Sequence, residues 1–349
     1  MMTQPLASTS FKVQSGSVPA SQHQSLESNY HSLAVLWAKK YYLSVTRDNV
    51  QERTKHESLA EVNSGIGRQK TANKLMQNLT LASAQAWSLT ETLLSEEIRR
   101  HGINPELINP LEIAADTRNL FQKAWEAYAD GASPERLSVL MGKDCGRVRQ
   151  KYTSQDPRAI GFVSMQFHYT GQKIQGWLSP AEQALFAPYL KVMDDHMYMP
   201  LQAAYEAAGN HEENSPALLA VQQLLPISTR IAFAVYDRVI RQHPDYESYS
   251  GSLRSEIVKI SSIRDVEMFQ VYLCLCVLED NVRSVQQELF PLCVMLYPRL
   301  KVSWTLVQEM LNNILWEMHD RLSLDQVAPF LPYLRTLSEM FSKEVFQDS

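Results

Sequence analysis

Three clusters of ionisable side chains could do chemistry in this chain of 349 residues. In the first, Asp194, Asp195 and His196 place two carboxylates beside an imidazole, a set of groups that binds divalent metals or transfers protons. The three residues are consecutive in a segment whose apolar spacing predicts a helix, so neighbouring side chains point about 100° apart. They cannot converge on one ion, and we expect them to form a solvated helix face.

The second cluster is the pair Glu97 and His101, whose spacing of four places both side chains on one face of a helix. The pair supplies two metal ligands at most and lies in a basic run at a predicted helix end. The chain carries no phosphate-binding loop, no dinucleotide-binding glycine motif and no nucleophile elbow. The sequence therefore predicts no metal site and no catalytic residue, and it favours a protein that is not an enzyme.

The third cluster is Arg264 and Asp265, which lie at the start of the most apolar stretch of the chain, residues 261–310. A guanidinium pairs with carboxylates, and a carboxylate accepts hydrogen bonds from N–H donors. Two interpretations of this charged pair stay open. It contacts a ligand or a partner, or it caps the start of a helix, with the Asp265 carboxylate at the positive end of the helix dipole.

Composition is that of an ordinary globular protein. Apolar residues make up 45% of the sequence and charged residues 20%, and the chain is long enough to bury a substantial core. The net charge of -5 gives no general electrostatic reason to bind nucleic acid or an anionic membrane. Residues 1–30 lack the apolar segment of a signal peptide, and no window reaches the roughly 20 apolar residues that span a bilayer. We therefore expect a cytoplasmic protein with no membrane span.

The four cysteines, Cys145, Cys274, Cys276 and Cys293, show no metal-binding spacing, and three of them lie in apolar runs. Cys274 and Cys276 are two residues apart on a predicted helix, so their side chains diverge. Buried, reduced thiols are the interpretation that fits this pattern, in agreement with a reducing compartment.

Apolar periods near 3.6 residues dominate the chain, glycines number only 12, and alternating strand patterns are nearly absent. The sequence therefore predicts an all-α protein. Residues 1–28 are rich in Ser and Gln and are predicted to be a disordered tail. We predict an N-terminal helical region at 29–177 and a second helical domain at 178–349.

Start and stop signals place several helices. Ser133-Pro134 and Ser179-Pro180 each combine an N-cap serine with proline at the first helical position, and Gly102 follows a basic run as a helix stop. The helices predicted from these signals and from apolar spacing include 30–45, 70–101, 110–129 and 302–322.

Residues 133–152 have a weak helix-turn-helix pattern, with Gly142 in the turn and Arg147, Arg149 and Lys151 on the second helix. A short helix pair with a basic exposed face accounts for the pattern better, because the chain as a whole is acidic. We therefore expect no nucleic-acid partner from this segment, although a DNA-linked regulator stays open as a third interpretation of the whole chain.

From Ser261 onward the residues resemble, in order and almost without gaps, the phycobiliproteins of cyanobacterial light-harvesting antennae. The shared pattern is a helix that opens with a bilin-attachment position, an apolar residue and Arg-Asp, then aromatic residues, an acidic connection and a helix with Leu and Tyr near its middle. The corresponding residues are Ser262, Ile263, Arg264, Asp265, Val266, Glu267, Phe269, Tyr272, Glu279, Asp280, Asn281, Glu288, Leu292, Leu296, Tyr297, Leu300 and Val302. The resemblance covers roughly residues 178–342 and implies a globin-like fold for that part.

The resemblance also implies a site for a linear tetrapyrrole, a bilin. Ser262 stands where the family has the Cys that forms the thioether, so covalent attachment at this position is excluded. In the family the Arg, here Arg264, pairs with a bilin propionate, and the Asp, here Asp265, accepts hydrogen bonds from pyrrole N–H groups. Apolar enclosure would come from Met268, Phe269 and Tyr272.

We therefore expect a non-enzymatic accessory protein of the bilin or phycobilisome system, similar to the globins associated with bilin biosynthesis. It would bind a bilin non-covalently, or dock on phycobiliproteins or bilin-biosynthesis enzymes. Haem is not expected, because no His lies between Arg264 and Trp316 to act as the axial ligand. The alternative is a ligand-free helical scaffold that binds other proteins, and an oligomer is compatible with either function.

Overall fold

A computed structural model of the chain describes residues 20–47, 59–342 and 345. Helices make up 82% of the chain. The only strands among the described residues form one short hairpin, β1 (Glu247–Ser248) and β2 (Gly251–Ser252). The predicted all-α class is therefore confirmed, while the globin-like arrangement stays a prediction.

Six helices form the N-terminal part of the described chain. They are α1 (Ala20–Arg47), α2 (Leu59–Val62), α3 (Gly65–Arg100), α4 (Pro110–Ala129), α5 (Pro134–Thr153) and α6 (Ala159–Gln175). A 3₁₀ turn, Pro105–Leu107, lies between α3 and α4. Helix α4 has the predicted bounds, and α1 and α3 each begin earlier than the apolar spacing predicts.

The remaining helices surround one long central helix. They are α7 (Pro180–Tyr198), α8 (Leu201–Gly209), α9 (Pro216–Leu224), α10 (Ser228–Gln242), α11 (Glu256–Glu279), α12 (Phe290–Arg299), α13 (Trp304–Arg321), α14 (Leu324–Val327) and α15 (Leu331–Met340). A π-helix, Val285–Leu289, leads directly into α12. Short 3₁₀ turns join α9 to α10 and α14 to α15.

Side-chain caps fix the helix ends where the start and stop signals predict them. The Ser133 hydroxyl accepts a hydrogen bond from the backbone N–H of Arg136 at the start of α5. Ser179 forms a reciprocal capping box with Glu182 at the start of α7. Gly102 adopts a φ of 61° just after α3, a left-handed conformation in which glycine carries no steric penalty. These predicted ends are confirmed.

One hydrophobic core extends from Leu33 to Phe341 and includes residues of both predicted regions. The predicted boundary between 177 and 178 falls between α6 and α7, and these two helices pack on each other. Helix α1 packs on α8, and α5 packs on α7. The N-terminal helices therefore share the core with the rest of the chain.

Helix α11 lies at the centre of this core. Thirteen consecutive residues, 266–278, are buried, so this part of the helix is enclosed on every side. Helices α8, α9, α10 and α15 pack around it. The stretch that the sequence marks as most apolar is thus the interior of the protein.

Two predicted segments lie partly outside the described residues. Of the predicted tail 1–28, residues 1–19 are not described, and α1 begins at Ala20, inside that segment. Residues 48–58, which lie between α1 and α2, are also not described.

Residues 216–242 have the length and apolar composition of a membrane-spanning helix, and their most apolar window of 18 residues has a mean hydropathy of 1.5. The stretch comprises α9, a 3₁₀ turn and α10. Half of its most apolar window is buried inside the protein, as in a core helix of a globular protein. Within the described ranges it is the one stretch of this kind, which is weak evidence for a span. The prediction that no window of the sequence is apolar and long enough to span a bilayer is therefore corrected for this one stretch.

Helix α5 corrects the prediction for residues 133–152. Gly142 lies inside one continuous helix, and the chain does not turn there. Both the helix-turn-helix and the helix-pair predictions are therefore wrong. The continuity follows from a buried stripe at intervals of four residues, which consists of Leu137, Met141, Cys145 and Arg149.

The two glycines of α5 test this continuity. Gly142→Ala is expected to raise the free energy of unfolding by about 0.5–1 kcal/mol, because alanine is the better helix former. The added Cβ meets its nearest atom, in the Gln202 side chain, at 3.7 Å. Gly146→Ala is expected to lower the free energy of unfolding by about 1–3 kcal/mol, because its Cβ would lie 2.3 Å from Gln202 Cγ. Urea unfolding monitored by circular dichroism measures both. A marked loss of stability in Gly142→Ala would contradict the continuous helix.

Candidate functional site

The predicted ligand pair lies within α11, not at its start. Ser255 is the N-cap of this helix, and its side chain accepts a hydrogen bond from the Val258 N–H. Arg264 and Asp265 come nine and ten residues after that cap, in the third turn. The interpretation of the pair as a helix cap is therefore wrong, because the helix dipole acts within the first turn.

Arg264 is buried against helices α6 and α7. Its Nη1 donates a short hydrogen bond to Asp194 Oδ2 and lies 3.4 Å from His168 Nδ1. Its guanidinium carbon lies 4.0 Å from the centre of the Tyr198 ring, a cation–π distance. Burial would raise the pKa of Asp194, but Arg264 and His168 hold that pKa well below its usual range. The Arg264–Asp194 pair is therefore ionised at neutral pH.

The pair leaves one donor and one acceptor without a hydrogen-bond partner. They are Arg264 Nε and Asp265 Oδ1, and both atoms are shielded from solvent. Burial raises the pKa of Asp265 to about 6, against the opposing effects of Arg264 and the Tyr198 hydroxyl. A buried polar atom without a partner costs about 1–3 kcal/mol. This is the position on α11 where a ligand would gain most from polar contacts.

The other predicted contact residues lie at different depths. Met268, Phe269 and Tyr272 are fully buried in the core. The Phe269 ring packs edge-on against Phe341 at 5.6 Å between centroids. Ser262 is half-buried, three residues before Asp265 and so on the same face of α11. Ser262 is thus the more exposed end of this face, and Met268, Phe269 and Tyr272, which follow Asp265 by three, four and seven residues, continue the same face into the core.

Asp194 and Asp195 are not on a solvated face, so that part of the prediction is wrong. Asp194 pairs with Arg264, Asp195 is fully buried in a separate ionic cluster, and His196 is buried with its Nε2 2.8 Å from Ser138 Oγ. The three side chains point to three different partners, as their consecutive helical positions predict. Burial lowers the pKa of His196 to about 4, so the imidazole is neutral at neutral pH.

Asp195 belongs to a buried ionic tetrad that consists of Lys40, Lys191, Asp195 and Glu267. Lys40 Nζ lies 3.1 Å from Asp195 Oδ2 and 3.0 Å from Glu267 Oε2. Lys191 Nζ lies 3.1 Å from Asp195 Oδ1 and 3.2 Å from Glu267 Oε2. Two cations thus bridge two carboxylates and connect α1, α7 and α11.

Hydroxyl groups complete the tetrad. Tyr41 donates to Asp195 Oδ2 at 2.9 Å, and Thr229 of α10 donates to Glu267 Oε1 at 2.6 Å. Burial alone would raise the pKa of Glu267, but Lys191 and Lys40 lower it to about 2. Burial lowers the pKa of Lys40 despite the two carboxylates. The formal charges of the tetrad cancel, and three of its members are buried while the Lys191 side chain is 30% exposed.

Arg149 forms a second buried network that sequence reasoning missed. Its guanidinium donates to the carbonyl oxygens of Met197 and Tyr198 and to the Tyr272 hydroxyl, and it forms a close ion pair with Glu288. Tyr272 in turn donates to Glu288 at 2.7 Å. The sequence does contain a signal for this burial, because Arg149 follows Met141 and Cys145 at intervals of four residues. It places Arg149 on the buried stripe rather than on an exposed basic face.

Other sequence-based predictions have simple outcomes. Glu97 and His101 do share a face, with 3.0 Å between His101 Nε2 and Glu97 Oε2, and Arg299 also pairs with Glu97. The four cysteines are buried and free, so the prediction of buried thiols is confirmed. Across residues 20–47, 59–342 and 345, no group of three His, Cys, Asp or Glu side chains is placed to hold a metal ion.

Two surface grooves lie away from the Arg264–Asp265 pair. One runs between α8 and the end of α11, and the other runs between α13 and α15. Comparisons of the chain with protein-family models, with curated proteins and with solved structures find no match. The function must therefore be argued from the residues themselves.

The tetrad predicts a large effect of removing one cation. Lys40→Met leaves two buried carboxylates with Lys191 as the only lysine partner, so the free energy of unfolding is expected to fall by about 3–5 kcal/mol. The control is Lys123→Met. It breaks a half-exposed pair with Asp144 and is expected to cost less than about 1 kcal/mol. Adding Glu267→Gln to Lys40→Met removes one charge of each sign and should recover part of the loss. Equal, small effects of Lys40→Met and Lys123→Met in urea unfolding would contradict this view of the tetrad.

Asp265 predicts a pH dependence of stability. Its folded pKa of about 6 lies above the unfolded value of about 3.9, so ionisation opposes folding. This contribution is most favourable below about pH 4 and is lost as pH rises towards 6. Asp265→Asn cannot ionise. The difference in free energy of unfolding between Asp265→Asn and the wild type is expected to favour the variant by about 1–2 kcal/mol more at pH 7 than at pH 4.

The control for this measurement is Asp237→Asn, which changes an exposed aspartate of α10. Because this position is exposed, the substitution is expected to change the free energy of unfolding by less than about 0.5 kcal/mol. Parallel pH profiles for Asp265→Asn and the wild type in denaturant unfolding would show that the Asp265 carboxyl titrates normally.

Proposed function

We propose that this protein is a non-enzymatic accessory component of the bilin or phycobilisome system that binds a linear tetrapyrrole non-covalently at Arg264 and Asp265. One observation carries the proposal. Consecutive residues of a buried helix present a donor, Arg264 Nε, and an acceptor, Asp265 Oδ1, that have no hydrogen-bond partner. A ligand with a carboxylate and N–H groups supplies both partners and removes the cost of about 1–3 kcal/mol for each unpaired atom.

The two side chains have complementary tasks in this proposal. Arg264 keeps Asp194 as its anchor, and its free Nε–H is directed to a propionate oxygen of the tetrapyrrole. Asp265 accepts hydrogen bonds from pyrrole N–H groups, which favours the protonated, cationic form of the conjugated system. The Asp194 anchor fixes the guanidinium before the ligand arrives, so little side-chain freedom is lost on binding.

The route to the pair is the side of α11 that carries Ser262. Ser262 is half-buried and shares a helix face with Asp265. Its hydroxyl cannot form a thioether, so the ligand binds and leaves reversibly. Met268, Phe269 and Tyr272 are fully enclosed and lie on the same face of α11 as Asp265, where they provide the apolar inner end of the site.

The second candidate function is a ligand-free scaffold that binds other proteins, phycobiliproteins or bilin-biosynthesis enzymes among them. The observation that favours it is a group of exposed apolar side chains near the start of α11. Ile257 and Ile260 are 56% and 52% exposed, and Phe233 of the neighbouring α10 is 43% exposed. Lys259 connects the two helices, with its Nζ 5.9 Å from the centre of the Phe233 ring.

A tetrapyrrole titration tests the proposed function. Purified protein mixed with biliverdin or phycocyanobilin is expected to shift and sharpen the long-wavelength absorption band. Asp265→Asn should weaken binding by about tenfold or more and reduce the fraction of protonated bilin, because the charged acceptor is lost. Asp237→Asn makes the same chemical change at an exposed position of α10 and should bind as the wild type does.

A thiol at the position of Ser262 tests whether the bilin lies at the predicted position along α11. In Ser262→Cys, the S–H group can add across the exocyclic double bond of phycocyanobilin, which forms one C–S bond and one C–H bond. The pigment should then stay on the protein in a denaturing gel, whereas Ser95→Cys, which places a thiol at an exposed position of a different helix, α3, should release it. An unchanged bilin spectrum with wild-type protein would overturn the proposal. A complex with antenna subunits or bilin enzymes that lacks tetrapyrrole absorbance would favour the scaffold.

A further inference from the structure

A groove between α13 and α15 is lined almost entirely by apolar side chains. Its lining residues are Leu311, Leu315, Leu331, Leu334, Arg335 and Ser338, and its volume is about 360 Å³. The two helices pack directly on each other. On α15 the lining residues Leu334, Arg335 and Ser338 come three, four and seven residues after Leu331, so one face of this helix borders the groove.

Large apolar side chains are exposed on this part of the chain. The lining residue Leu331 of α15 is 39% exposed, Trp316 of α13 is 67% exposed and Leu324 of α14 is 76% exposed. Exposed Trp is rare on surfaces that stay free, and Trp is enriched among the residues that dominate protein interfaces. A helical partner is the shape that an apolar seam between two helices accommodates.

Charges beside the groove indicate which partner fits. Arg335 and Glu339 lie one turn apart on the solvent side of α15, with 2.9 Å between Arg335 Nε and Glu339 Oε1, and both side chains are largely exposed. If two α15 helices cross antiparallel at the level of Leu337, Arg335 of each copy faces Glu339 of the other. The pattern of charges is therefore complementary to itself under a two-fold rotation, the symmetry of most homodimers.

We propose that the protein forms a two-fold symmetric dimer in which α15 of each copy lies on the α13–α15 groove of the other. The apolar seam supplies the buried area, and two reciprocal Arg335–Glu339 pairs fix the antiparallel register. Leu331, which lines the groove and is 39% exposed, loses solvent exposure in this contact. This inference is independent of the tetrapyrrole proposal, because the groove shares no residue with the Arg264–Asp265 site.

The test uses the oligomeric state of the full-length protein, measured by light scattering during size-exclusion chromatography and by analytical ultracentrifugation over a range of concentrations. The wild type is expected to be a dimer. Arg335→Glu and Glu339→Arg should each weaken the dimer by about tenfold or more. Each substitution turns both reciprocal Arg–Glu pairs into pairs of like charges. The double variant Arg335→Glu with Glu339→Arg should dimerise as the wild type does.

Mixing the two single variants gives the sharpest result. The Arg335→Glu protein carries two acids at these positions and the Glu339→Arg protein carries two bases, so an equimolar mixture should form a heterodimer although neither protein dimerises well alone. Leu111→Ser, which changes an 82% exposed apolar residue of α4, is the control and should leave the dimer intact. Circular dichroism checks that each variant is folded. A monomeric wild type, a dimer unaffected by both single variants, or a mixture that stays monomeric would each overturn the proposal.

Discussion

The structure depends on the buried tetrad of Lys40, Lys191, Asp195 and Glu267. Removing four charged groups from water is expensive, and each remains ionised in the interior only if its partners are held in place. Here each lysine contacts both carboxylates and each carboxylate contacts both lysines. A shift of α1, α7 or α11 along its axis would separate at least one of these pairs. The tetrad therefore selects one register among several that the apolar packing alone would tolerate.

Buried polar side chains with specific partners also continue along α11. Its buried polar residues Arg264, Glu267 and Gln270 follow one another at intervals of three, which forms a polar line inside the core. Each finds its partner on a different element. Arg264 pairs with Asp194 of α7, Glu267 pairs with α1 and α7, and the Gln270 amide donates to the Ser228 carbonyl at the start of α10. The central helix thus orients its neighbours through polar contacts and binds them through apolar ones.

The parts of this fold that depend on local chemistry could be predicted from the sequence. Ser133 and Ser179 begin helices because they cap them, and Gly102 ends one because it takes a positive φ. What could not be predicted is which charged residues are buried. Asp195 and Arg149 have ordinary local surroundings, and their partners Tyr41 and Tyr272 lie 154 and 123 residues away in the sequence. A helical position shows which way a side chain points, but only tertiary packing decides what it meets.

The candidate site also combines features that the sequence shows with features that only tertiary packing decides. The apolar spacing and the charged pair at 264–265 could be found in the sequence, whereas the anchor Asp194 and the neighbour His168 could not. Most buried charges in this core are balanced by close partners, and an ionic group kept in a core is weak evidence for stability. Arg264 and Asp265 are consecutive in the chain, and each retains one buried polar atom with no hydrogen-bond partner. An apolar pair of similar volume would avoid that cost. Retaining two incompletely paired charges is therefore easier to explain by contact with another molecule than by the stability of the fold.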